Sequence, residues 1–87
     1  MIKIENASIF TNEHNDKLIV PAEPFDGMES VTDLRIRELG ISLCANGEPI
    51  AEMDASIGNL SDIRQVFLAL VGKDQTLLGT KEVFILG

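Results

Sequence analysis

Apolar and polar positions alternate with a period of two along much of this chain, the pattern of half-buried strands. Residues 2–10 (IKIENASIF) read as one strand, with Ile2 and Ile4 on one face, Phe10 returning to it and Ile9 pointing away. The polar middle at Asn6–Ser8 suits a bulge. A polar loop covers residues 11–16, and a short apolar run from Lys17 to Val20 stops at Pro21. Pro21, Pro24 and Gly27 then break the chain into an irregular segment up to about Ser30.

Two later segments carry stronger signals. In residues 32–45, Leu34 and Ile36 alternate with Arg35 and Arg37, after which Leu39, Ile41 and Leu43 hold the apolar phase. The slip predicts a bend or bulge between Glu38 and Gly40. Asn46-Gly47 lies between apolar runs, and both residue types tolerate positive φ, so a two-residue hairpin is expected there. That register pairs Ala45 with Glu48, Cys44 with Pro49 and Leu43 with Ile50. Pro49 has no N–H to give, which places residues 48–54 on a sheet edge at that point.

Residues 55–61 read as a loop, and the stretch after them is ambiguous. Ser61-Asp62 is a possible helix cap, with Gly72 as the stop signal. Yet Val66–Val71 is unbroken apolar, as in a strand buried on both faces, and QVFLALVG at 65–72 is echoed by EVFILG at 82–87. Gly72-Lys73-Asp74-Gln75 between the two echoes reads as a hairpin turn. The pattern predicts a mainly β chain, a small antiparallel β-sandwich or barrel of about six strands forming a single domain over 1–87. A helix at 61–71 is the competing reading and would make the fold α+β.

The two closing strands are apolar on both sides, whereas a small antiparallel sheet normally leaves one face wet. A second sheet covers only one side, and a partner chain is one way to cover the other. The candidate interface is Val66, Phe67, Leu68, Leu70, Val83, Phe84, Ile85 and Leu86. Each large apolar side chain buried there is worth roughly 1.5–3 kcal/mol.

Charge changes this picture in one respect. The chain of 87 residues has formal charge −7, with one Cys and neither Trp nor Tyr. Residues 1–54 carry eleven acids against four bases, and residues 55–87 are neutral. An acidic balance argues against direct nucleic-acid binding, which needs positive charge for the phosphates. It also admits an acidic inhibitor or nucleic-acid mimic that meets a basic partner protein. One Cys excludes an internal disulfide framework. No apolar run is long enough to span a membrane as a helix. The first residues lack the apolar core of a signal peptide, which suggests a cytoplasmic or virion-associated setting.

No reactive constellation stands out. His14 is the only histidine and sits in a polar stretch, so a zinc site is not expected. A Cys44–His14 nucleophile pair has no catalytic signature around it. Asp54-x-Ser56-x-Gly58 with Asp62 holds some oxygen ligands of a calcium loop, without its sixth-position Gly or closing Glu. Glu52 and Asp54 share a strand face, which guards an edge as well as it would serve acid–base work. Gly72-Lys73 lacks the rest of a phosphate loop. Arg35 and Arg37 share a face with no aromatic beside them, which suits pairing with acids. The chain is therefore expected to be a non-catalytic structural or protein–protein interaction subunit, without metal or cofactor. It is expected to associate with itself or a constitutive partner, and a small viral or phage structural component is one concrete form.

Overall fold

The computed structural model describes residues 1–54 and 64–86. They form eight strands: β1 (Ile2–Ile4), β2 (Ala7–Thr11), β3 (Lys17–Pro21), β4 (Asp33–Arg37), β5 (Gly40–Ala45), β6 (Glu48–Met53), β7 (Val66–Val71) and β8 (Leu77–Leu86), with one 3₁₀ turn at Met28–Ser30. The fold is mainly β, as the alternation requires. The spatial order is β1-β6-β5-β4-β8-β7-β3-β2. Its two ends, β1 and β2, are consecutive in the chain and joined by Glu5-Asn6, so the sheet curls back on itself. β8 crosses between the halves: Leu77–Val83 lies along β7, and Phe84–Leu86 lies along β4. A strand that passes from one layer to the other is how sandwiches and barrels turn corners.

Three pairs are parallel, namely β1 with β6, β3 with β7 and β4 with β8. The sheet is thus mixed and has eight strands where alternation alone suggests about six in antiparallel order. Parallel pairs join segments far apart in sequence, and no turn signal marks them.

The expected single strand over 2–10 is two strands with different neighbours. β1 pairs with β6 and β2 with β3, and the break at Glu5-Asn6 shifts the phase. Ile9 therefore faces Ile19 and packs on the core, while Phe10 is 57% exposed. That reverses the faces that unbroken alternation assigns to these two residues. The phase slip near Gly40 has a similar cause. It is a chain reversal with Glu38-Leu39 at the turn and Ile36 opposite Ile41, so Leu39 lies 80% exposed instead of on the apolar face. Neither turn residue takes a positive φ, so no Gly or Asn advertises the turn.

Asn46 and Gly47 do form the two-residue hairpin, with φ of 51° and 85°. Ala45 faces Glu48 and Cys44 faces Pro49 as the register requires, but Leu43 faces Ala51 because Ile50 is an extra residue on β6. β6 is an edge at Glu48–Ile50 only, since Ala51–Met53 also pairs with β1. The turn is held from β4: Gly47 N–H donates to both Asp33 carboxylate oxygens at 3.2 Å, and Asn46 N–H donates to the Thr32 hydroxyl at 2.8 Å. That hydroxyl in turn donates to Asp33 Oδ1.

β7 is a strand at Val66–Val71, which excludes a helix there; the first part of the helical alternative, at 61–63, lies outside the described residues. Gly72–Thr76 closes the expected hairpin, with Gly72 N–H donating to Thr76 O at 2.9 Å. A bulge at Leu78 resets the register before Gly79, whose φ of 157° is a conformation few other residues adopt. The core between the layers includes Ile19, Leu34, Leu43 and Leu68, all with no exposed surface.

Candidate functional site

The strand registers decide which apolar residues look outward. On the half made by β2, β3, β7 and β8, alternation sends Ile9, Ile19, Leu68 and Val83 to the core. The other face carries a row: Phe10 on β2 opposite Leu18 on β3, and Leu18 opposite Phe67 on β7. Phe67 faces Glu82 on β8, and Phe84 stands two residues beyond it on the same outer side. Diagonal neighbours on a sheet face are within reach of aromatic side chains. Phe10 is 57% and Phe84 64% exposed, Leu18 and Phe67 are half-buried, and three of the chain's four Phe residues are here. None of those three Phe residues belongs to the core cluster or packs against it, whereas Leu18 also packs against it.

The eight residues nominated from sequence fall into two groups. Val66, Leu68 and Val83 line the core, and Leu70 and Ile85 pack against it. Phe67, Phe84 and Leu86 are the members on the outer side. Sequence reading missed Phe10 because the corner at Glu5-Asn6 inverts the phase of β2 relative to β1, and Leu18 because the short apolar run at 17–20 carries too little alternation to assign a face. A groove beside the row is lined by Phe10, Leu18, Phe67 and Thr80, with Asn12 and Asp16 at its polar end. Asp16 Oδ2 accepts from Asn12 Nδ2 at 3.1 Å, whereas Asp16 Oδ1 is buried without a hydrogen-bond partner.

Charge divides by layer. Residues 7–21 and 64–86, which build the half with the aromatic row, contain four bases and four acids. Residues 1–6 and 22–54, which build the other half, contain three bases and nine acids, a net of −6. The outer face of that second half is polar and internally paired. Lys3 Nζ lies 2.6 Å from Asp54 Oδ2, and Arg37 reaches across β5 to Glu52 and Asp54, each at 3.6 Å. The Lys3 hydrogen bond and charge hold the Asp54 carboxyl below its ordinary range. Arg37 thus pairs with acids across the strands, as expected of it, and its partners are Glu52 and Asp54, the two carboxylates read from sequence as edge charges.

The reactive candidates stay apart. His14 is exposed in the β2–β3 loop, beside Glu13 at 3.5 Å. Cys44 is fully buried on β5, its Sγ 3.8 Å from Ser42 O. Burial, then the neighbouring Asp33 charge, pushes the Cys44 thiol up. A buried, protonated thiol is a poor nucleophile. Cys44 should therefore resist a soluble thiol reagent in the native protein and react about a thousandfold faster in denaturant. Comparable rates in stopped labelling reactions would contradict its burial. The calcium-like run after Asp54 lies outside the described residues. Among the described residues, no cluster of three or more His, Cys, Asp or Glu is placed to hold a metal ion. No described helix is long and apolar enough to cross a membrane.

Fold and surface define a small mainly β domain of the sandwich or barrel kind, with an aromatic row on the outside of its electrically neutral half. Comparison with known protein families, characterised proteins and solved structures gives no significant match.

Proposed function

We propose that this chain is a non-catalytic structural or protein–protein interaction subunit that associates with itself, as a small cytoplasmic or virion-associated component does. The observation that carries this reading is the Phe10–Leu18–Phe67 row with Phe84 beyond it, held on the outside of a half with no net charge. Exposed aromatic surface of this kind marks association sites, since singly scattered apolar residues need no explanation but aligned ones do. Aromatic side chains bring large area at small entropic loss and dominate interface energetics.

Size-exclusion chromatography with light scattering tests the reading. At high micromolar concentration the mass should be a multiple of the 9.5 kDa chain, and added salt should leave it unchanged or raise it. A mass of one chain at every concentration would overturn self-association.

A second reading, an acidic inhibitor or mimic that binds a basic partner, is favoured by the net −6 of the half opposite the aromatic row. This reading predicts a complex with a basic protein that weakens steeply as salt rises.

A further inference from the structure

A sheet edge presents unpaired N–H and C=O groups, and proteins blunt such edges with charge, proline, bulges or cover. Most edges here are blunted. β1 is three residues long and carries Lys3. The start of β6 has Glu48 and Pro49. The first part of β8 has the Leu78 bulge together with Lys81 and Glu82, and Lys81 Nζ bonds Glu29 O at 3.0 Å, which ties the 28–32 segment to that strand.

β2 has none of these devices. Its sequence is ASIFT, without charge, proline or bulge, and β3 is its only strand neighbour among the described residues. Which of its backbone groups face outward follows from the hairpin. Ala22 N–H donates to Asn6 O at 2.8 Å, and Asn12 N–H donates to Asp16 O at 3.2 Å. Antiparallel pairs alternate between bonded and non-bonded, so Ser8/Val20 and Phe10/Leu18 are the bonded pairs in between. Ala7, Ile9 and Thr11 therefore point their N–H and C=O away from β3. Pro21, which has no N–H, sits opposite Ala7 at a non-bonded position, consistent with this phase.

We propose that β2 pairs antiparallel with β2 of a second copy of this chain, across a twofold axis at Ile9. This rests on the self-association reading and names its contact. In that register Ile9 faces Ile9, and Ala7 faces Thr11 in both directions, so every outward N–H meets an outward C=O. No charged residue lies in the paired strands, and the neutral half meets its like while the two acidic halves stay apart. On the outer face Phe10 faces Ser8 across the new pair, and the two Phe10 rings are diagonal neighbours about 7–8 Å apart. The aromatic row then runs unbroken from one Phe67 to the other, which gives the exposed Phe10 a cover. An isologous contact of this sort closes at two chains.

The test is Thr11→Pro. Thr11 is exposed, and its N–H points away from β3, so proline removes an intermolecular donor without breaking the hairpin. Light scattering should show the variant as a single chain under conditions where the natural sequence is a dimer, with a thermal transition close to that of the natural chain measured dilute. Leu39→Ser, in the exposed turn between β4 and β5 on the other half, should remain dimeric. Hydrogen exchange on the natural chain gives an independent readout if the proline variant fails to fold: the Ile9 and Thr11 amides should become at least about tenfold more protected from low to high micromolar concentration. A folded Thr11→Pro dimer, or amides whose exchange ignores concentration, would overturn the β2 pairing and leave self-association standing. A natural chain that is monomeric throughout would overturn both.

Discussion

Gly40→Ala should cost about 3 kcal/mol or more and lower the melting temperature by more than about 10 °C. A Cβ on Gly40 would sit 2.2 Å from Met53 O, 3.1 Å from Asp54 Cα and 3.0 Å from an Arg37 guanidinium nitrogen. The first two are backbone atoms of the neighbouring strand and its extension, so no side-chain rotation relieves them. The third shows what the missing side chain permits. Arg37 on β4 crosses over Gly40 on β5 to reach Glu52 and Asp54 at β6, and its Nη2 donates to Met53 O at 3.5 Å. Alanine would force β5 and β6 apart and lift that bridge at once. Small domains have total stabilities near the low end of about 5–15 kcal/mol, so most of the folding free energy is at stake. Urea denaturation checks the prediction, and a loss under about 1 kcal/mol would mean that β5 and β6 separate easily.

Two neighbours on β7 should behave oppositely. Leu68 has no exposed surface and lies opposite Ile19 across the β3 pair, so Leu68→Ala leaves a cavity in the core worth about 2–5 kcal/mol. Phe67 sits one residue away on the outer side, between Leu18 and Glu82, and is absent from the core cluster. Phe67→Ala should cost about 1 kcal/mol or less in dilute, monomeric protein. The same change should weaken self-association measurably by sedimentation, because the row loses one of its aromatic rings. Equal destabilisation by the two substitutions would mean that Phe67 belongs to the core, and the association reading would lose its main support.

Asn46-Gly47 was legible for a local reason: both residues need positive φ, and few other pairs accept it. The double-faced apolar run at Val66–Val71 was legible too, and so was the turn after it. Glu38-Leu39 was not, because a reversal built with ordinary φ angles leaves only a phase slip in the sequence. Phe10 escaped for the related reason that Glu5-Asn6 turns a corner and inverts inside and outside, and Leu18 because its run is too short to show a phase. Alternation assigns residues to two faces but does not say where the alternation restarts.

The sequence by itself determined that this chain builds strands, where its tightest turn falls and that β7 has no polar side. Each of those is set within a few residues, by side-chain period or backbone sterics. The tertiary structure alone decided the three parallel pairs, the curling that brings β1 and β2 together and the sorting of charge by layer. Read along the chain, the acids belong to residues 1–54; folded, the β2–β3 hairpin leaves that group and joins the neutral half. Pairing between distant segments follows from how a whole core closes, and no local pattern encodes it. That closure turns Phe10, Leu18 and Phe67, scattered over 58 positions of sequence, into one row.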